Sequence, residues 1–222
     1  MLLIISCIQN SHRLEFIKTK WLNNINIPYI IVVGNKLLDS SKKYTYITET
    51  NILEVRCEDN YDELPHKVFY AICAIQELFN PEYIVKIDDD IIINSKYFNE
   101  LLQKLQNNSI NYAGLVVKKP TGEMSHWALD KYIKPTNKIA TYIPPVSYCG
   151  GPMYYLSKKS IKIIVNTMNP ETIKFEDVNI GIVLNKQGIF PLNVQLYSDN
   201  IDDMKCGLSS AWHDTNKIFI PK

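Results

Sequence analysis

Ile84-Val85-Lys86-Ile87-Asp88-Asp89-Asp90-Ile91-Ile92-Ile93 is the stretch on which the reading of this chain turns. Residues 83–87 have the length and apolar character of a buried strand, and an acidic triplet follows directly. Apolar residues on both sides leave little room for full solvation. Burying carboxylates is costly unless something positive compensates them. A divalent cation is one compensator, because carboxylate oxygens suit hard ions such as Mg2+ and Mn2+, and substrate phosphates can complete the shell. The other reading is a turn whose carboxylates cap backbone N–H groups.

Working outward, the first half alternates strand-like and helix-like segments. Residues 2–8, 29–33 and 52–56 are short apolar runs of strand length. Residues 62–79 read as a helix, with Leu64, Val68, Ile72, Ile75 and Phe79 at helical spacing. Pro65 falls in its first turn, where a missing N–H costs little. Residues 96–105 read as another, with Phe98, Leu101, Leu102 and Leu105 inward and Asn94 or Ser95 as cap. This alternation predicts an α/β fold with a mainly parallel sheet covered by helices, and ligands beyond the carboxyl ends of its strands. Further on, 112–117 and 153–156 read as strands. Ser157 caps a predicted helix over 158–168, and a last helix over 177–187 stops at Gly188. Residues 118–147 read as long loops.

The 222 residues carry a formal net charge of +1, with 46% hydrophobic and 21% charged positions. These values describe one ordinary globular domain and exclude a nucleic-acid partner, which needs a concentrated positive surface. Cys7, Cys57, Cys73, Cys149 and Cys206 form no CxxC pair, so they read as reduced thiols rather than a zinc site. No Walker A sequence is present. The apolar opening is too short to span a bilayer and lacks the features of a signal peptide, so the expectation is a cytoplasmic chain without a transmembrane segment. Oligomeric state is not legible.

Four segments in order resemble the β1,3-glycosyltransferase family, which includes β1,3-galactosyltransferases, β1,3-N-acetylglucosaminyltransferases and Fringe proteins. The segments are Asp59-Asn60-Tyr61-Asp62-Glu63-Leu64-Pro65-His66-Lys67, then Val85-Lys86-Ile87-Asp88-Asp89-Asp90, Tyr142 through Ser157 with Tyr148-Cys149-Gly150-Gly151, and Glu176-Asp177-Val178-Asn179-Ile180-Gly181. Arg13 and Trp21 are similar to an early R…TW pattern. Asp88-x-Asp90 is the DxD pattern of nucleotide-sugar transferases. Pro65-His66 and Gly150-Gly151 depart from the family's usual residues, and its membrane anchor and stem are absent from this sequence.

The resemblance implies one GT-A domain over 1–222, with a nucleotide-binding half (1–117) and an acceptor-binding half (118–222). It implies inverting transfer of a sugar from a UDP-sugar to a hydroxyl of a glycan or glycoprotein acceptor, with a β1,3 linkage and Mn2+ or Mg2+ as cofactor. Asp90, Asp88 and His213 are the implied metal ligands. Asp88 would also meet the ribose or transferred sugar, supported by Asp89. Arg13 and Lys67 would meet the diphosphate or base, and Gly150 and Gly151 would let backbone approach the donor sugar. Asp177 is the implied general base, oriented by Glu176. Each assignment competes with a plainer one: a structural histidine at 213, helix capping by Glu176 and Asp177, a simple Gly-Gly turn, surface placement of Arg13 and Lys67. Trp127 reads equally as a sugar-stacking or a core residue. The competing function is a non-catalytic glycan-binding or folding-helper relative.

Overall fold

The computed structural model describes residues 1–125 and 141–214. In chain order the strands are β1 (Leu2–Ile5), β2 (Tyr29–Gly34), β3 (Tyr44–Ile47), β4 (Ile52–Val55), β5 (Tyr83–Asp88), β6 (Ile91–Ile93), β7 (Tyr112–Lys119), β8 (Glu123–Ser125), β9 (Thr141–Ile143), β10 (Val146–Ser157), β11 (Leu192–Asn193) and β12 (Ala211–His213). The helices are α1 (Ser11–Lys20), α2 (Leu64–Phe79), α3 (Ser95–Asn107), α4 (Lys158–Thr167), α5 (Glu176–Lys186) and α6 (Ile201–Lys205).

Eight strands form one sheet in the order β11-β7-β10-β5-β1-β2-β4-β3. β1 is wholly buried and runs parallel to β2 and β5, as near-continuous apolar strands do when both faces are covered. β10 is antiparallel to both β5 and β7, and β3 to β4, so the sheet is mixed rather than mainly parallel. Side-chain alternation divides the core. Leu3, Ile5, Ile84 and Tyr154 face a layer holding α2, α4 and α5, while Leu2, Ile4, Val85 and Ile87 face α1 and α3. The helices therefore flank both faces of one α/β sheet. Among the described residues, no helix is long and apolar enough to cross a membrane.

The structure departs from several expectations. The predicted loop 118–147 contains the paired strands β8 and β9, and β10 already starts at Val146. Trp127 lies outside the described residues. β10 also runs through Gly150-Gly151-Pro152, whose glycines had a simple turn as their plainer reading, because a register shift between Cys149 and Tyr154 absorbs them as a bulge. Phe79 is not a core residue: it lies partly exposed at the end of α2, edge-on to Tyr46. Asn94 occupies the cap position of α3 without a side-chain capping bond, whereas Ser157 does cap α4 through the Ser160 N–H. α1 and β3 have no counterpart in the expected elements.

Gly181 explains one family-like position. A Cβ there would come within 2.5 Å of Tyr148 Cβ and 3.0 Å of the Ser147 carbonyl, so α5 lies against β10 without a side chain between them. Gly181→Ala is expected to cost about 1–3 kcal/mol of overpacking. A thermal melt checks this, and an unchanged midpoint would mean that the helix can lift away freely.

Candidate active site

The acidic triplet is divided by the strand pleat. Asp88 ends β5 on the same side as Lys86, and Asp89 turns under the strand ends. Ser6 Oγ (2.8 Å), Asn10 Nδ2 (3.1 Å) and Arg13 Nη1 (2.9 Å) all donate to the buried Asp89 carboxylate. Asp90 faces outward again, with Arg13 Nη1 at 3.8 Å and His213 Nε2 at 3.4 Å. His213 arrives there by strand register: β12 pairs antiparallel with β6, His213 opposite Ile91, and the Asp214 N–H donates to the Asp90 carbonyl. Trp21 Nε1 donates to the Ile91 carbonyl and fixes the same turn. Asp199 Oδ1, 2.9 Å from His213 Nδ1, orients the ring so that Nε2 faces Asp90.

A cleft of about 720 Å3 opens at this end of the sheet. Asp88, Asp90, His213, Gly150, Gly151, Glu176 and Asp177 all line it. Gly151 belongs to the β10 bulge, and a Cβ there would lie 3.6 Å from carboxylate oxygens of both Glu176 and Asp177. Those two acids open α5. The capping position itself is Phe175, so neither acid is the cap. Asp177 Oδ1 instead accepts from the Val178 N–H at 2.8 Å.

Sequence reasoning assigned no role to Lys86, which is 0% exposed and faces Asp88, Glu176 and Asp177. Its Nζ donates to Asp88 Oδ1 and to the Gly151 carbonyl, and lies 5.7 Å from the Tyr154 ring centroid. Tyr154 Oη in turn donates to Glu176 Oε1. The signal that could have found it is a lysine inside an apolar strand, two residues before a carboxylate. Its other partners come from distant parts of the chain.

The electrostatics follow from this crowding. Burial opposes the charge on Lys86, but Asp88, Glu176 and Asp177 outweigh it and hold the ammonium protonated. Burial pushes Glu176 up to about 7 and Asp88 up to about 6, each against the pull of Lys86. Lysine and acids all rise because burial outweighs the one cation at each acid, while three carboxyls face the lysine. Asp177 is also raised by burial, opposed by N–H groups of Val178 and Gly151. Burial lowers the His213 pKa, yet Asp90 and Asp199 bring the net shift upward.

Arg13, Asp89 and Lys67 stand behind the cleft wall rather than on it. Lys67 is 3% exposed, with Nζ 2.6 Å from Asp59 Oδ1 and 2.9 Å from the Ser6 carbonyl. Gly150 lies close to Tyr197, whose hydroxyl would be 3.0 Å from an added Cβ.

The donor set of Asp90 and His213 fits a divalent ion. Cis ligands at about 2.1 Å from an octahedral ion stand roughly 3 Å apart, comparable with the 3.4 Å between Oδ1 and Nε2. Among the described residues no group of three or more His, Cys, Asp or Glu side chains gathers tightly enough to hold an ion. An ion here would therefore draw further ligands from substrate or water.

Residues 12–195 match the model of the galactosyltransferase family. The probable β-1,3-galactosyltransferase 13 of Arabidopsis thaliana is 30% identical over 134 residues, covering 56% of this chain and 36% of its own. The β-1,3-galactosyltransferase bre-2 of Caenorhabditis elegans is 24% identical over 216 residues, covering 85% and 58%. The human UDP-GalNAc:β-1,3-N-acetylgalactosaminyltransferase 1 is 26% identical over 172 residues, covering 74% and 49%. The chain thus spans between about a third and three-fifths of the length of these curated relatives.

Proposed function

The chain belongs to the galactosyltransferase family, and from that premise we propose that it transfers a hexosyl group from a UDP-sugar to a glycan hydroxyl, with inversion and a β1,3 linkage. The observation that carries this reading is one cleft lined both by Asp88 with the Asp90–His213 pair and by the Glu176–Asp177 pair that opens α5. The first group suits a cation and a diphosphate, the second a nucleophile that must lose a proton.

Asp90 and His213 would hold Mn2+ or Mg2+, with Asp88 beside them. When bound, the cation supplies positive charge against the departing diphosphate. Asp177 accepts the proton of the acceptor hydroxyl as that oxygen bonds to the anomeric carbon. The bond from the anomeric carbon to the UDP oxygen breaks in the same process, and UDP leaves. Glu176, held by Tyr154 and Lys86, keeps the acid pair in place. The bulge backbone at Gly150 and Gly151 leaves space for a sugar against these acids.

Calorimetric titration with UDP, with and without Mn2+ and beside GDP and CMP, tests the reading. The expected result is Mn2+-dependent UDP binding, weakened at least about tenfold in Asp90→Ala. Wild-type affinity in Asp90→Ala would remove Asp90 from the metal site. Absence of binding to every nucleotide would favour a non-catalytic relative.

A further inference from the structure

We propose that Lys86 is a positioning residue that holds the donor-side carboxylate and the general base in one fixed arrangement; this rests on the transferase reading above. Its ammonium grips Asp88 Oδ1 on one side and the Gly151 carbonyl on the other. Gly151 itself lies against the acid pair, where an added Cβ would be 3.6 Å from Asp177 Oδ2 and from Glu176 Oε2, so one residue of the bulge stands between Lys86 and the base. A second path runs through the Tyr154 ring, which the ammonium faces, to the Tyr154 hydroxyl and Glu176.

The fold makes this arrangement rigid. Lys86 and Tyr154 are directly opposed in the antiparallel ladder between β5 and β10, so both side chains leave the sheet on the same face. Asp88 is two residues along the same strand and shares that face. The Lys86 stem is closed off from solvent, and its three-donor head has no room to swing. A surface lysine could neutralise the same charge. Burial at the junction of β5, the bulge and the start of α5 fixes distances as well.

Lys86→Met keeps the stem and removes the head; Lys86→Gln retains an N–H donor and serves where Lys86→Met does not fold. UDP affinity, kcat and KM are compared with wild type in whichever variant is folded. The expected result is a kcat lower by about 10²-fold, with a much smaller loss of UDP affinity, since Asp90 and His213 keep their own partners. A kcat within about threefold of wild type, or a loss of UDP affinity as large as the loss of kcat, overturns the proposal. Carbon-13 NMR of the Glu176 and Asp177 carboxyls gives a readout independent of turnover. Upward movement of both titration midpoints in the variant supports the tie to Lys86. Unchanged midpoints overturn it whether or not the wild type transfers sugar, and a wild type that transfers none sinks the transferase reading separately.

Discussion

Asp177→Asn is expected to lower kcat by about 10²–10⁴-fold, the range associated with a lost general base, and to leave UDP affinity unchanged. The substitution is nearly isosteric. Its amide oxygen can still accept from the Val178 N–H, so the start of α5 keeps its local support. What disappears is the capacity to take a proton. Asp177 belongs to the acid pair that opens α5 and not to the Asp90–His213 pair, so nucleotide binding should not register the change. Wild-type kcat should fall on the acid side, at a pH above the ordinary aspartate range, because burial raises Asp177. The same limb should be missing from the residual activity of Asp177→Asn. Near-normal turnover in the variant would sink the base assignment.

Stability should run the opposite way with pH. Burial raises Glu176 from 4.5 to about 7 in the folded protein, so its contribution is fully present below pH 4.5 and fades as pH rises through about 7. Activity that needs an ionised acid pair and stability that prefers it protonated therefore pull against each other in this window. Lys86 limits the conflict, since its buried charge offsets the acids whenever they ionise.

Much of this architecture was legible from apolar patterning alone. β1, β2, β4 and β5 are short apolar runs, and α2 and α3 carry clear stripes, with Phe98, Leu102 and Leu105 buried. α1 was not legible, because Leu14 and Ile17 are its buried residues, Phe16 is partly buried, and charged and polar side chains fill the rest. Asp88, Asp90, Glu176, Asp177 and His213 were singled out one by one, and the structure brings all five to one cleft. What joins them was invisible: the register of β12 on β6, and the bulge that turns Gly151 toward the acids. The resemblance implied diphosphate or base contacts for Arg13 and Lys67. Basic residues near a nucleotide-like motif suggest phosphate contacts, but their partners, Asp59 and Asp89, are acids of the same scaffold. Long-range pairing of this kind has no periodic signature to read.

Asp59→Ala is expected to cost about 3–5 kcal/mol of stability, more than Gly181→Ala, because it strands the buried Lys67 ammonium of a partly buried ion pair. Oδ1 accepts from the Gly34 N–H at 2.7 Å and from Lys67 Nζ at 2.6 Å, and Oδ2 accepts from the Ile8 N–H at 2.7 Å. One carboxylate thereby ties the segment after β1, the end of β2 and the first turn of α2 together. Alanine would leave two N–H groups without that acceptor and a lysine ammonium that is 3% exposed. In a chain of this size the thermal midpoint should drop by about 6–20 °C. Glu58→Ala supplies a neighbouring control. Glu58 pairs with Lys36 at 2.8 Å, but about half its side chain reaches solvent, so its loss should cost less than about 1 kcal/mol. If the two variants melt together, the Asp59 clamp contributes no more than a surface pair. Asp59→Leu combined with Lys67→Met should recover part of the loss, because removing both charges is less costly than stranding one. That recovery should not extend to UDP binding under the proposed function. The two backbone N–H groups would remain unclamped, and one of them, at Ile8, belongs to the segment whose Ser6 and Asn10 donate to Asp89.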